Sequence, residues 1–141
     1  MESTKSILIV DDEPNVCAYL KDLLDYFGYE TTAALSCKEA ISQLKQRSYD
    51  CALVDMYMRN ETGEGVLRWL RSMGRTDPVV MMCSMPHYEM RIDLIFKGAS
   101  DLLGKPVQPT QLRQVLNKIL NQPPSHLGQG QLPDQAAGAG S

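Results

Sequence analysis

The chain predicts an α/β fold with a parallel sheet covered by helices on both faces. Three observations carry that prediction. Short runs too apolar to face water recur at 6–10, 51–55 and 79–83, as expected of strands buried on both sides. Segments with helical apolar periodicity lie between and beyond them. Strand and helix alternate five times, and connections of this length between buried strands imply right-handed crossovers.

Ser6–Val10 is the first buried strand and ends in Asp11-Asp12-Glu13. Pro14 suits a first helical turn, and Val16, Leu20, Leu23, Leu24 and Phe27 then form one stripe, closed by Gly28. Tyr29–Leu35 is a modest second strand. Ser36 and Glu39 make a capping box for a helix through Arg47, with Ala40, Ile41 and Leu44 inward. Cys51–Asp55 is the third strand, four apolar residues running into a carboxylate. Gly63–Met73 reads as a helix, and Asp77-Pro78 as a turn. Val79–Cys83 is a fourth strand, Glu89–Lys97 a helix ending at Gly98, and Ser100–Leu103 a short fifth strand. Pro109 starts a last helix through Leu120, with Leu112, Val115, Leu116 and Ile119 inward.

From about residue 121 to 141 the composition turns to Pro, Gly and Gln, with no Lys or Arg and no apolar period. This segment is expected to be a disordered tail or linker after one folded domain over 1–120. The 141 residues, 43% hydrophobic and 22% charged, suit one globular domain. A net charge of −3 argues against a dedicated nucleic-acid binder. No run is apolar enough to span a bilayer, and residues 1–6 carry no signal-peptide pattern. Cys17, Cys37, Cys51 and Cys83 show no CxxC spacing, so buried free thiols in a reducing cytoplasm are expected rather than a metal site.

Parallel strands share one carboxyl edge, where open α/β sheets bind ligands. This edge receives Asp11, Asp12 and Asp55, then Cys83 and Ser84, then Lys105. A lone Asp55 would be read as a turn cap, but an earlier strand ends the same way. Clustered carboxylates repel unless a cation neutralises them. A few hard oxygen ligands suit Mg2+, which shares a phosphate oxygen with its protein site. A carboxylate beside Mg2+ and a lysine is an arrangement for aspartyl-phosphate chemistry. A structural ion-pair cluster is the competing account.

Three motifs carry a family resemblance: Ile-Leu-Ile-Val-Asp-Asp-Glu at 7–13, Leu-Val-Asp-Met-Tyr-Met at 53–58 with Gly63 eight residues after the Asp, and Gly-Ala-Ser-Asp-Leu-Leu-Gly-Lys-Pro at 98–106. Over residues 5–120 the chain resembles the receiver domain of two-component response regulators. The resemblance implies a flavodoxin-like, doubly wound five-stranded sheet of order 2-1-3-4-5. It implies Asp55 as phosphoacceptor, and Asp11, Asp12 and the Tyr57 backbone carbonyl as Mg2+ ligands with it. Lys105 would be the phosphate-binding lysine, preceding a cis bond to Pro106. A sensor histidine kinase or phosphotransfer protein would be the donor. An unidentified protein or effector domain would be the output, with a homodimer allowed.

The sequence departs from the family pattern at three places. The hydroxyl usual at the end of strand four falls on Cys83 without a gap, or on Ser84 after a one-residue slip. A thiol is a weak donor, so Cys83 would weaken the switch contact. The switch aromatic three residues before the lysine is Leu102, and Arg59 replaces the proline four residues after the acceptor, leaving that loop less rigid. Trp69, Tyr88, Met81, Met82, Met85 and Met90 are expected to pack in the core or on the surface. His87 is expected in a solvated loop, and Glu61 and Glu64 as solvated charges favouring a helix start.

Three functions follow. One is a phosphorylatable signalling receiver that catalyses only its own phosphorylation and dephosphorylation. The second is an interaction scaffold that no longer switches. The third is a phosphatase or phosphotransferase with an Asp nucleophile. It fares worst, because Tyr57 stands where a general acid would follow Asp55 by two residues.

Overall fold

The computed structural model describes residues 4–120, so the expected tail lies outside the described residues. Ten elements alternate: β1 Ser6–Val10, α1 Pro14–Phe27, β2 Glu30–Ala34, α2 Cys37–Gln46, β3 Cys51–Asp55, α3 Glu64–Ser72, β4 Val79–Cys83, α4 Tyr88–Phe96, β5 Asp101–Gly104 and α5 Pro109–Leu120. The strands form one sheet, order β2-β1-β3-β4-β5, and every pairing is parallel. This is the flavodoxin-like receiver architecture.

Side chains alternate across the strands, and the alternation divides the core in two. Leu8, Val10, Ala52, Val54, Met81 and Leu102 face α2, α3 and α4. Ile7, Ile9, Cys51, Leu53, Val80 and Leu103 face α1 and α5. The three central strands are buried throughout, which is why they read as unbroken apolar runs. Each fully buried aliphatic side chain contributes roughly 1.5–3 kcal/mol.

The helix ends follow local chemistry. Gly28 takes φ 95° and closes α1, its N–H bonding to the last turn, a backbone region glycine enters without strain. Ser36 Oγ accepts the Glu39 N–H at 3.1 Å, and Glu39 Oε1 accepts the Leu35 N–H at 2.9 Å, fixing the start of α2. The sequence boundaries shift by a residue at β2, β5 and most helices, as fraying ends do.

Helix α4 is the least amphipathic element. Only Leu94 is buried, while Phe96 is 91% exposed and Ile92 and Ile95 are also exposed. His87 is not a free loop residue but its cap, with Nδ1 accepting the Met90 N–H at 3.3 Å. All four cysteines are buried and unpaired as disulfides.

Candidate functional site

The parallel register builds the site. Val10 sits opposite Val54, which carries Asp11 and Asp55 side by side past the ends of β1 and β3. Cys83 sits opposite Gly104, and Lys105 N–H donates to the Cys83 carbonyl at 2.9 Å, delivering Lys105 to the same edge. One carboxylate oxygen from each of Asp11, Asp12 and Asp55 lies within 4.8 Å of the others. Lys105 Nζ reaches Asp11 Oδ2 at 2.9 Å and Asp55 Oδ1 at 3.4 Å. The Lys105–Pro106 bond is cis. Asp11, Asp12, Asp55 and Lys105 therefore converge at one end of the sheet.

Asp11 is fully buried, and its other oxygen accepts the Glu13 N–H at 2.9 Å. Asp55 is nearly as buried. Burial pushes its carboxyl up to about 6, the Asp11 charge adds to this, and the Lys105 ammonium and the Tyr57 N–H oppose it. For Lys105, burial favours the neutral form, but Asp11 and Asp55 outweigh it and hold the ammonium above its ordinary range. One ammonium thus serves two buried carboxylates, and Asp12 adds a third acidic group. The donor set is all oxygen and suits a hard divalent cation such as Mg2+.

The β3–α3 connection, residues 56–63, is a small hairpin. Gly63 N–H donates to the Met56 carbonyl at 2.8 Å and Met58 N–H to the Glu61 carbonyl at 2.9 Å. Tyr57 and Thr62 face each other between those bonds. This is the non-bonded type of antiparallel pair. Among the described residues no hydrogen bond takes the Tyr57 carbonyl. Gly63 is required by close approach: a Cβ there would lie 2.1 Å from the Asp55 carbonyl oxygen and 2.5 Å from Val54 Cγ1. The spacing from Asp55 flagged this glycine, but not the reason.

Several sequence expectations change. The Arg59 N–H donates to Asp12 Oδ2 at 2.7 Å, a tie that the sequence did not suggest and that proline lacks the hydrogen to make. Glu61 and Glu64 are not merely solvated helix-start charges. Glu61 Oε2 accepts the Cys37 N–H at the start of α2 at 2.9 Å, and Glu64 pairs with Lys97 at 2.5 Å. Trp69 and Met90 pack against the core, whereas Tyr88 and Met85 are exposed.

In the ungapped register Cys83 ends β4 on the α4 side, 2% exposed, in one cluster with Leu102 and Leu94. Ser84 is exposed just beyond the strand. Sequence reasoning missed a second buried polar group at the opposite end of the sheet. Arg71 donates to the carbonyls of Arg75, Asp77 and Gly98 at 2.9, 3.0 and 2.7 Å. Arg75 pairs with buried Asp77 at 2.9 Å. Isolated arginines at the end of α3 and in the connection after it give no sign of such long-range partners.

A five-stranded receiver sheet with an acidic pocket and a neighbouring lysine at its carboxyl edge defines a class, and sequence comparison agrees. The model of the response regulator receiver domain matches residues 7–117, and the chain belongs to that family. It is similar to the chemotaxis protein CheY of Bacillus subtilis, 32% identical over 116 residues, 82% of this chain and 97% of that protein. It is also similar to the transcriptional regulatory protein ZraR of Escherichia coli, 31% identical over 114 residues. That match covers 81% of this chain and 26% of ZraR, so the chain spans about a quarter of the ZraR length. The receiver domain of the Francisella response regulator 1452 superposes with a TM-score of 0.77 at 26% identity, over 82% of this chain and 96% of that one. The chain is thus a receiver domain rather than a stand-alone enzyme. Among the described residues no helix is long and apolar enough to cross a membrane.

Proposed function

We propose that this receiver accepts a phosphoryl group on Asp55 from a histidine kinase or phosphotransfer protein and thereby changes its affinity for a protein partner. The observation that carries the reading is the bridging lysine: Lys105 Nζ lies between Asp11 and Asp55 beside a three-carboxylate cluster. Asp11, Asp12, Asp55 and the Tyr57 carbonyl would hold Mg2+. When bound, Mg2+ supplies positive charge to the phosphoryl oxygens and offsets repulsion among the carboxylates.

The transfer is one displacement. An Asp55 oxygen attacks phosphorus, a P–O bond forms, and the P–N bond to the donor imidazole breaks with its electron pair leaving on nitrogen. Lys105 is placed to neutralise charge on a transferring oxygen. With its carboxyl near 6, Asp55 is mostly the required anion at neutral pH. The product carries about −1.5 to −2 on its phosphoryl group where Asp55 carried a single negative charge, and it adds new acceptor oxygens at the sheet edge, a change that can bias a two-state element. Cys83, buried at the end of β4, and Ser84, exposed just after it, are the two residues proposed for the hydroxyl role.

Incubation with Mg2+ and acetyl phosphate, followed by intact mass measurement, tests the reading. A single phosphoryl adduct is expected in the wild type and none in Asp55→Asn. No adduct at millimolar donor would favour a non-switching interaction scaffold. The buried Leu102, packed with Cys83 where a mobile aromatic is expected, is the observation that supports that second reading.

A further inference from the structure

We infer that the backbone amide of Arg59 is a positioning group for Asp12, holding one of its oxygens so that the carboxylate faces Asp11 and Asp55. The inference rests on the reading of that cluster as a Mg2+ site. The Arg59 N–H to Asp12 Oδ2 distance of 2.7 Å is short, as for a hydrogen bond to an ionised acceptor. Asp12 lies just past the end of β1 and, unlike Asp11, is not fully buried. Lys105 bridges Asp11 and Asp55 but makes no ion pair with Asp12 among the described residues. Of the three carboxylates, Asp12 therefore depends on a different anchor.

That anchor is itself held. The Gly63–Met56 and Met58–Glu61 backbone bonds close the hairpin that carries Arg59. Glu61 Oε2 fastens the hairpin to the Cys37 N–H. Gly63 lets the hairpin lie against the Asp55 carbonyl, where any Cβ would collide. The amide is thereby aimed at Asp12 by a loop fixed at both ends. A carboxylate oxygen accepting one N–H keeps a second lone pair, and the other oxygen stays free, so the bond orients the ligand without consuming it. Partners of this kind set ligand orientation and are worth about 10–100-fold in metal affinity.

Two substitutions separate the amide from the side chain. Arg59→Ala keeps the N–H and removes only the guanidinium; Arg59→Pro removes both. No described residue other than glycine has positive φ, so the proline ring meets no left-handed backbone at this position. Calorimetric titration with MgCl2 alone is expected to give Arg59→Ala within about threefold of wild type and Arg59→Pro weaker than Arg59→Ala by about tenfold. Equal affinities for the two variants, or tighter binding by Arg59→Pro, would overturn the inference. The second result would mean that the amide competes with the ion. Absence of Mg2+ binding by the wild type would instead remove the metal reading on which the inference rests.

Amide exchange in the 15N-labelled wild type covers the case in which Arg59→Pro does not fold. The Arg59 amide is expected to stay protected at saturating Mg2+. Faster exchange on adding Mg2+ would show the bond breaking as the ion enters and would overturn the inference.

Discussion

At the scale of single residues, the pocket combines groups that oppose one another's stability. Asp55 is buried beside Asp11, and its carboxyl rises from the ordinary 3.8 to about 6. A carboxyl raised in the folded state is destabilising wherever it is ionised in both states. The cost is therefore full above about pH 6, shrinks as pH falls, and vanishes below about pH 4. A tenfold change in proton affinity is worth about 1.4 kcal/mol, so the cost is about 3 kcal/mol at most. Metal-free Asp55→Asn is expected to melt several degrees above wild type at pH 7.5, with the gap closing towards pH 4. Thermal unfolding in EDTA across this range checks it. A variant no more stable than wild type at pH 7.5 would show that Lys105 already compensates Asp55 fully.

At the scale of elements, the β3–α3 hairpin and the β1–α1 turn matter most, because they carry the carboxylates to one place. Gly63 has an ordinary φ of −67°, so its role is space rather than backbone freedom. Gly63→Ala would push a methyl into the Asp55 carbonyl oxygen and Val54 Cγ1. Overpacking of this kind costs about 1–3 kcal/mol. The relief available is movement of the hairpin, which carries the Arg59 amide and the Tyr57 carbonyl. The variant is expected to lower the denaturant midpoint and to weaken Mg2+ binding together. Lowered stability with unchanged Mg2+ affinity would mean that the strain relaxes into α3 instead.

At the scale of the whole molecule, the sheet has a functional edge and a structural one. At the structural end, Arg71 ties the carbonyls of Arg75, Asp77 and Gly98, and Arg75 closes on Asp77, which also accepts the Tyr49 N–H. Burial alone would raise the Asp77 carboxyl, but the Arg75 hydrogen bond, the Tyr49 N–H and the Arg75 charge together hold it below the ordinary range. The sign is opposite to that of Asp55. The stabilisation is complete above about pH 4 and is lost as pH falls through the lower folded value. Asp77→Asn is expected to cost roughly 2 kcal/mol at pH 7, as for hydrogen bonds to charged groups. Its deficit should shrink as pH falls below about 4, and urea unfolding at pH 7 and pH 3 measures the change. A deficit that persists unchanged at pH 3 would assign the effect to packing rather than charge.

The fold and the pocket were legible because each rested on a short-range pattern. Buried parallel strands leave unbroken apolar runs, and a carboxylate at the end of such a run has a place defined by the pleat and the shared strand direction. Asp11, Asp12, Asp55 and Lys105 could therefore be brought together from their positions alone. Contacts without a local period were not legible: the Arg59 amide on Asp12, Glu61 on the start of α2, Glu64 on Lys97, and Arg71 on three carbonyls. Each joins residues from separate elements through a backbone group or a long, flexible side chain whose partner the residue type does not specify. By itself the sequence determined the order of strands and helices, the two faces of the sheet and the acidic edge, because burial and periodicity are written along the chain. Only the tertiary structure decided that Cys83 packs in one cluster with Leu94 and Leu102 while Ser84 is exposed, and that the hairpin after Asp55 is fastened through Arg59, Glu61 and Gly63. Register and close approach depend on distances between segments, which no segment carries alone.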